Sequence, residues 1–526
     1  MRGKLAMVLL LWLAAAGAGA QVRPTESGPV KGFIDAGVAQ FRGIPYAAPP
    51  VDKLRFRPPF APIAWKGTRS AAEYGPACEQ MLTLYPVSED CLTLNIFAPA
   101  SATDISSLPV MIWIHGGGFV SGSSRDFDAS ALVTRGNVVV VTVNYRLGYF
   151  GFLAHPALSA DSPHHISGNY GLLDQQAAFA WVRRNIAAFG GNPKRLTIFG
   201  ESAGGQSVID QLISPTSGPL SAAIAESGAY ATNLPTLAAQ EAAGETVAAT
   251  AGCPHRTALC LRRLPANKLN VLNPLTSLTS VSPVVDGRII PLGPAQAFAA
   301  GSFKHIPVIN GSNHDEYRLF VGLSRWATNA APMTVKQYIA NVKAQFGPLA
   351  PSVLETYPVK DHGRPEYAYA AALTDVAFAC NTHLLNAQMA RYTSVYAYEL
   401  NDLHAPTASG PVLPGFSYGS AHSSELSYLF PTYNVAAFHP DGPPPLSVAQ
   451  EKLRTLIQDS WIALARDGLP ATASRTPWPA FGGTPKILSL VPPAGSITHD
   501  FFSDHHCKFW KSILLSRAGL PPDSAY

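Results

Sequence analysis

Six short apolar runs mark the chain, at residues 110–115, 137–145, 195–200, 221–226, 306–311 and 395–400. Most are unbroken Val/Ile stretches rather than alternating ones, and Asn137-Val-Val-Val-Val-Thr-Val-Asn-Tyr145 is the clearest. Such a run predicts a strand covered on both faces, because a half-exposed strand alternates apolar with polar. Between the runs the period becomes helical. Over Leu173–Phe189, the residues Ala177, Trp181, Ile186 and Phe189 fall near one face, and Gly190-Gly191 ends the pattern. Over Leu446–Asp467 the buried stripe is Leu453, Leu456, Ile457, Trp461 and Leu464, with Gly468 as C-cap. Strands alternating with helices predict an α/β fold with a mostly parallel, twisted sheet and helices on both faces. The prolines concentrate in the first hundred residues and in 405–495, which predicts long surface excursions there. No change of composition reads as a linker, so residues 21–526 are expected to form one domain.

Chemistry enters at the run 195–200. It leads into Phe199-Gly200-Glu201-Ser202-Ala203-Gly204-Gly205 and then a small-residue stretch of helical character. Gly-x-Ser-x-Gly between a strand and a helix is a nucleophile elbow, a turn so tight that the serine is held under strain with its hydroxyl clear of the sheet. Upstream, the run 110–114 enters His115-Gly116-Gly117-Gly118-Phe119. Consecutive glycines let backbone N–H groups converge on a substrate oxygen, so this loop is a candidate half of an oxyanion hole, with the Ala203 N–H as the other half. A phosphate-binding loop would need a lysine and a Ser/Thr after the glycines, and they are missing.

Bulk properties narrow the class. Hydrophobic residues make up 47% and charged ones 14%, enough for a large core and too apolar for a disordered chain. A net charge of +4, evenly spread, gives no footprint for nucleic acid. Arg2 and Lys4, the apolar stretch Leu5–Ala16 and Ala18-Gly19-Ala20 form a signal-peptide pattern with cleavage expected before Gln21. A secreted or periplasmic protein without a membrane anchor is therefore expected. Six cysteines in an exported chain permit three disulfides in fifteen connectivities; Cys78 with Cys91 and Cys253 with Cys260 are near in sequence, which leaves Cys380 and Cys507. The pairs His164-His165 and His505-His506 have no Cys or carboxylate at ligand spacing and are expected at the surface; no metal and no cofactor is expected.

The order of these motifs resembles the type-B carboxylesterase family, the cholinesterase-like branch of the α/β-hydrolases, over nearly the whole mature chain. Phe41-Arg-Gly-Ile-Pro-Tyr-Ala47, Ser88-Glu-Asp-Cys-Leu-Thr-Leu-Asn95, the glycine loop and Asn144-Tyr-Arg-Leu-Gly148 carry the resemblance. Gly168-Asn-Tyr-Gly-Leu-Leu-Asp-Gln175, Phe189-Gly-Gly-Asn-Pro193 and the elbow continue it. The resemblance implies an α/β-hydrolase fold and a Ser-Glu-His triad in that chain order. Ser202 is then the nucleophile. Glu316 is the acid, ending the Gly-x-Asn-x-x-Glu pattern Gly311–Glu316, with Asp315 as the competing carboxylate. His422 is the base, in a His-x-x-Glu segment. The oxyanion hole would be Gly117, Gly118 and Ala203, with His115 shaping its loop. Glu201, Ser227 and Glu425 resemble a buried supporting network, with ordinary exposed carboxylates as the alternative reading of Glu201 and Glu425. The family pairings imply the disulfides Cys78–Cys91, Cys253–Cys260 and Cys380–Cys507, and no cysteine is left near the C-terminus for an intersubunit bridge.

The chain also departs from its relatives. Only twelve residues, Glu79 to Asp90, separate Cys78 from Cys91, and none is Trp. Cholinesterases place in the equivalent, longer loop the tryptophan that grips a quaternary ammonium, and lid-bearing lipases use it as a cover. Choline esters and long triglycerides are thus not the expected substrates. An ungapped match puts Ser277 and Thr279 where cholinesterases carry bulky acyl-pocket aromatics. The expected function is hydrolysis of an uncharged small-molecule ester through an acyl-enzyme, its activity rising with pH through the histidine range. An amidase and a non-catalytic binding module of the same fold are the alternatives.

Overall fold

A computed structural model describes residues 20–81, 83–253, 257–272, 281–470, 478–482 and 485–526. The expected signal peptide, apart from Ala20, and the positions Ser277 and Thr279 lie outside these residues. Six strands come early in the chain: β1 (Ala20–Arg23), β2 (Val30–Asp35), β3 (Val38–Pro45), β4 (Arg69–Ser70), β5 (Ala77–Cys78) and β6 (Val87–Ser88). Then follow β7 (Thr93–Pro99), β8 (Leu108–Ile114), β9 (Val139–Val143), β10 (Gly191–Glu201) and β11 (Ala222–Glu226). The last are β12 (Val308–Asn313), β13 (Val395–Leu400), β14 (Ile487–Val491) and β15 (Ala494–Thr498).

Twelve of them run in one sheet in the order β1-β2-β3-β7-β9-β8-β10-β11-β12-β13-β14-β15, with β4 beside β2, while β5 and β6 pair separately. From β9 to β14 every neighbouring pair is parallel. The pairs among β1, β2, β3, β7 and β9, and the final pair β14–β15, are antiparallel. All six predicted apolar runs are strands of the parallel core. The antiparallel flanks carry no such run: β2 reads Val-Lys-Gly-Phe-Ile-Asp and β15 Ala-Gly-Ser-Ile-Thr, a composition that suits edges with one face in water.

Alternation within the core strands divides the interior in two. Val110, Ile112, Ile114, Val139, Val141 and Ile198 face one cluster, which includes Phe179, Trp181 and Val182 of the helix Tyr170–Asn185. Met111, Trp113, Val140, Phe199 and Ile224 face the other, with Leu453, Leu456, Ile457, Trp461 and Leu464 of the helix Val448–Asp467. The two predicted helices therefore cover opposite faces of one sheet. Their ends follow local chemistry. Ser447 and Gln450 form a reciprocal capping box, so the second helix begins two residues after Leu446. The first starts at Tyr170 and tightens into a 3₁₀ turn at Ile186–Phe189 before Gly190.

Three intrachain disulfides join Cys78 to Cys91, Cys253 to Cys260 and Cys380 to Cys507. The last closes a sequence separation of 127 residues and the second one of only 7. Loop-closure entropy then assigns about 5 kcal/mol to Cys380–Cys507 and about 2.5 kcal/mol to Cys253–Cys260. Replacing each pair by serines should lower the urea midpoint in that order; equal losses would mean that local strain outweighs chain entropy.

Candidate active site

The loops that carry the motifs all leave the carboxyl ends of parallel strands, where open α/β sheets place their sites. The glycine loop follows β8, Ser202 follows β10, Ser227 follows β11 and Glu316 lies in the turn after β12. His422 lies on the excursion between β13 and the short helix Leu426–Leu429. Ser202 has φ +55° and ψ −122°, a conformation costly for a residue with a side chain, and Ala203 opens the helix Ala203–Ile213. The helix lies so close to the sheet that a Cβ on Gly204 would come within 1.9 Å of the Ile114 carbonyl oxygen. Gly117, at φ +99°, has no more room: a Cβ there would meet the Ser121 carbonyl at 2.1 Å.

Ser202 Oγ and His422 Nε2 are 2.7 Å apart, and His422 Nδ1 is 2.6 Å from Glu316 Oε2. The Asn313 N–H donates to Glu316 Oε1 at 2.8 Å. The Ser202, His422 and Glu316 side chains are all buried. Asp315 turns elsewhere: it accepts from the Ser420 N–H and pairs with Arg318. The glycine loop packs on the elbow, with an ideal Cβ on Gly116 only 3.1 Å from Ser202 Cβ. Among the described residues, the N–H groups of Gly117, Gly118 and Ala203 donate to no acceptor of the chain. His115 stacks on Tyr145, whose hydroxyl donates to the His115 carbonyl at 2.8 Å, and burial lowers the imidazole to about 4. It stiffens the loop as a neutral ring.

Glu201, Ser227 and Glu425 are buried near His422. Glu201 Oε1 lies 3.2 Å from His422 Nε2 and accepts from the Ser423 hydroxyl at 2.8 Å. Glu425 accepts from the Ser227 hydroxyl at 3.3 Å and from the Asn313 amide at 2.5 Å. Burial would lower His422, but the charges of Glu201 and Glu316 outweigh it and raise the imidazole to about 9. Glu201 is raised by burial, and Glu425 is pushed up to about 8 by burial and by the charges of Glu201 and Glu316. The His422 imidazole is thus harder to deprotonate than the ordinary histidine range expected from sequence.

A model of the carboxylesterase family matches residues 19–510. The chain is 37% identical to the fumonisin B1 esterase of Sphingopyxis macrogoltabida, over 90% of this chain and 87% of that one. It is 32% identical to the para-nitrobenzyl esterase of Bacillus subtilis, over 94% and 99%. A solved PNB esterase structure superposes with a TM-score of 0.77 at 32% identity, covering 93% of this chain and 99% of that one. The chain belongs to the carboxylesterase family. It has the α/β-hydrolase fold, and ester hydrolysis is its class of reaction.

Four features of the esterase had no reading in the sequence. Asn313 ties Glu316 to Glu425, and its only local signal is its place inside Gly-x-Asn-x-x-Glu. Glu226, at the end of β11, is fully buried and raised well above the carboxylate range by burial; it accepts from the Trp461 indole at 3.0 Å. The Phe320 and Phe378 rings flank His422 at 5.1 Å each. Phe378 comes from a π-helical turn, Asp375–Ala379, that no periodicity announces. A cavity of about 270 Å³ lies beside the glycine loop, bounded by Phe119, Gln206, Tyr230, Leu234, Gln240 and Pro283.

One expectation is corrected. His164 and His165 are exposed, but His505 is buried, its Nδ1 2.7 Å from Asp375 Oδ1 and its Nε2 2.5 Å from Glu399 Oε1. Burial works against its charge, and the two carboxylates reverse that and raise it to about 10. Spacing along the chain misses these partners because they come from 130 and 106 residues away. For the network, Trp461→Phe should cost about 1–3 kcal/mol in chemical denaturation, because it leaves the buried Glu226 carboxyl without its donor; an unchanged stability would mean that Glu226 finds another partner.

Proposed function

We propose that the protein is an exported carboxylic-ester hydrolase working through Ser202, His422 and Glu316 and an acyl-enzyme intermediate. The relay from Ser202 Oγ through His422 to Glu316, at 2.7 and 2.6 Å on a strained elbow, carries this reading. A serine hydroxyl becomes nucleophilic only when a neighbouring base takes its proton. His422 Nε2 takes it as Oγ adds to the ester carbonyl, then gives it to the departing alcohol. Glu316 holds the imidazole with Nε2 toward the serine and stabilises the imidazolium that forms. The N–H groups of Gly117, Gly118 and Ala203 receive the oxyanion, where one such donor is worth roughly 10²–10³ in rate. Water, deprotonated by the same imidazole, then releases the acid.

Residues 21–526 are taken as one catalytic domain, exported behind a signal peptide. Its three intrachain disulfides suit an oxidising compartment. Among the described residues no helix is long and apolar enough to cross a membrane. The relatives are named for esters as different as fumonisin B1, cocaine and para-nitrobenzyl, so membership of the family leaves the acyl and alcohol groups open. Against choline esters stands the loop Glu79–Asp90. Its one aromatic residue, Tyr85, already has the Arg125 guanidinium 3.9 Å from its ring centroid. That ring is occupied by a cation of the chain itself, and Arg125 repels a second one.

Two experiments test the proposal. An organophosphonate should label the Ser202 peptide, and Ser202→Ala should lower hydrolysis of a p-nitrophenyl ester at least about 10⁴-fold with little change in thermal midpoint. Retained activity, or labelling of another serine in that variant, would overturn the assignment. The second concerns pH. His422 must be neutral to act, and its raised pKa keeps it protonated to higher pH, so kcat/KM should climb through a midpoint above the ordinary histidine value of about 6.5. Glu201→Gln removes a negative charge that favours the imidazolium and should move that midpoint to lower pH. A midpoint that stayed or rose would separate Glu201 from the electrostatics of the base.

A further inference from the structure

Among the described residues, one group of side chains sets two imidazoles and a carboxylate at metal-ligand spacing. His314, Asp504 and His505 have donor atoms within 4.8 Å of one another. His314 stands in the turn after β12, two residues before Glu316. Asp504 and His505 precede Cys507 and its disulfide to Cys380. His314 Nε2 is 3.3 Å from Asp504 Oδ2, and the two imidazole rings are 5.2 Å apart. Behind them, Asp375 Oδ1 takes His505 Nδ1, while Asp375 Oδ2 accepts from the Tyr357 hydroxyl at 2.6 Å. The Trp510 indole in turn donates to that hydroxyl at 2.7 Å.

We infer that this cluster binds one divalent cation of the zinc type, with His314 Nε2, His505 Nε2 and the Asp504 carboxylate as its protein ligands. Imidazole and carboxylate together suit zinc and its neighbours rather than calcium or magnesium, which take oxygen. Bonds of about 2.0–2.2 Å in a tetrahedron set donors roughly 3.3–3.5 Å apart, close to the His314–Asp504 separation. The chain Trp510–Tyr357–Asp375–His505 is the outer-shell pattern that orients a ligating histidine: a carboxylate on one ring nitrogen fixes the other toward the metal. An imidazolium clamped by Asp375 and Glu399 would explain His505 alone. It would leave His314 between Asp315 and Asp504 at 3.3 Å on each ring nitrogen, just beyond the usual range of an N–H···O bond, with Asp504 on the open side of the cluster. Asp504 is 54% exposed, so a cation has a way in. On entry it replaces the proton between His505 Nε2 and Glu399, which leaves to water; no electron moves. The bound ion would staple the loop of Glu316 to the disulfide-tied C-terminal segment and take no part in cleaving the ester.

The test uses the full purified chain, stripped with EDTA and titrated with Zn²⁺ alone by calorimetry. One saturable site per chain is expected, together with a rise in thermal midpoint. Asp504→Asn, a half-exposed position chosen to spare the fold, and His314→Ala should each weaken binding about 100-fold or more, on the scale of losing a ligand or its support. Zinc X-ray absorption should report two imidazoles in the coordination shell. The proposal fails if no saturable binding appears, if both variants bind like the parent, or if binding vanishes instead on replacing the exposed pair His164-His165.

Discussion

The approach of the helix Ala203–Ile213 to the sheet governs everything else in the site. Gly204 stands where a methyl group would lie 1.9 Å from the Ile114 carbonyl, so helix and β8 touch backbone to backbone. Ile114 is also the residue from which the glycine loop departs. One contact therefore fixes both the serine, on the strained turn into the helix, and the N–H groups that would receive the oxyanion. A preorganised hole acts because its donors need not move as charge develops, and this contact removes their freedom to move. The strain at Ser202 persists because the neighbouring strands over-determine it: the Ser202 N–H donates to the Glu226 carbonyl on β11, and its carbonyl accepts from the Gln206 N–H.

The second constraint is electrostatic. Four glutamates, Glu201, Glu226, Glu316 and Glu425, are buried around a single imidazole. Burial together with mutual repulsion raises three of them, Glu201, Glu226 and Glu425. Glu316 has one oxygen taken by the Asn313 N–H at 2.8 Å and the other by the His422 ring at 2.6 Å. Each of the four has a donor from the protein: the Ser423 hydroxyl for Glu201, the Trp461 indole for Glu226, and Asn313 for both Glu316 and Glu425. Asn313 arranges this twice, through its backbone to Glu316 and its side chain to Glu425.

What could be read from the sequence was local. The elbow, the glycine loop and Gly311–Glu316 are each a strand followed by a loop whose residues are needed at fixed offsets, so short spacing sufficed. The parallel core was legible for the same reason, since burial on both faces leaves an unbroken apolar run. The flanking strands were not, because one-sided burial spreads few apolar residues among polar ones, as in β15. Leu446 looked like helix by hydrophobicity, yet the Ser447–Gln450 box set the start. His505 and Phe378 show the limit most plainly: the carboxylates around the buried His505 and the Phe378 ring beside His422 both arrive from far along the chain.

These two distant residues are joined by one element. The π-helical turn Asp375–Ala379 carries Asp375, which holds His505, and Phe378, whose ring lies 5.1 Å from His422. A wider turn changes the angular spacing of its side chains, and such turns recur at functional sites. Here it lets residues three apart point to different places, one toward the C-terminal cluster and one toward the base. The next residue, Cys380, is covalently tied to Cys507, so both ends of this path are anchored. A displacement of the C-terminal segment must then be absorbed by the turn or passed to Phe378. His422 is thereby held from two sides, by the loop of Glu316 and by a ring carried on the turn that the disulfide and the Asp375–His505 ion pair anchor.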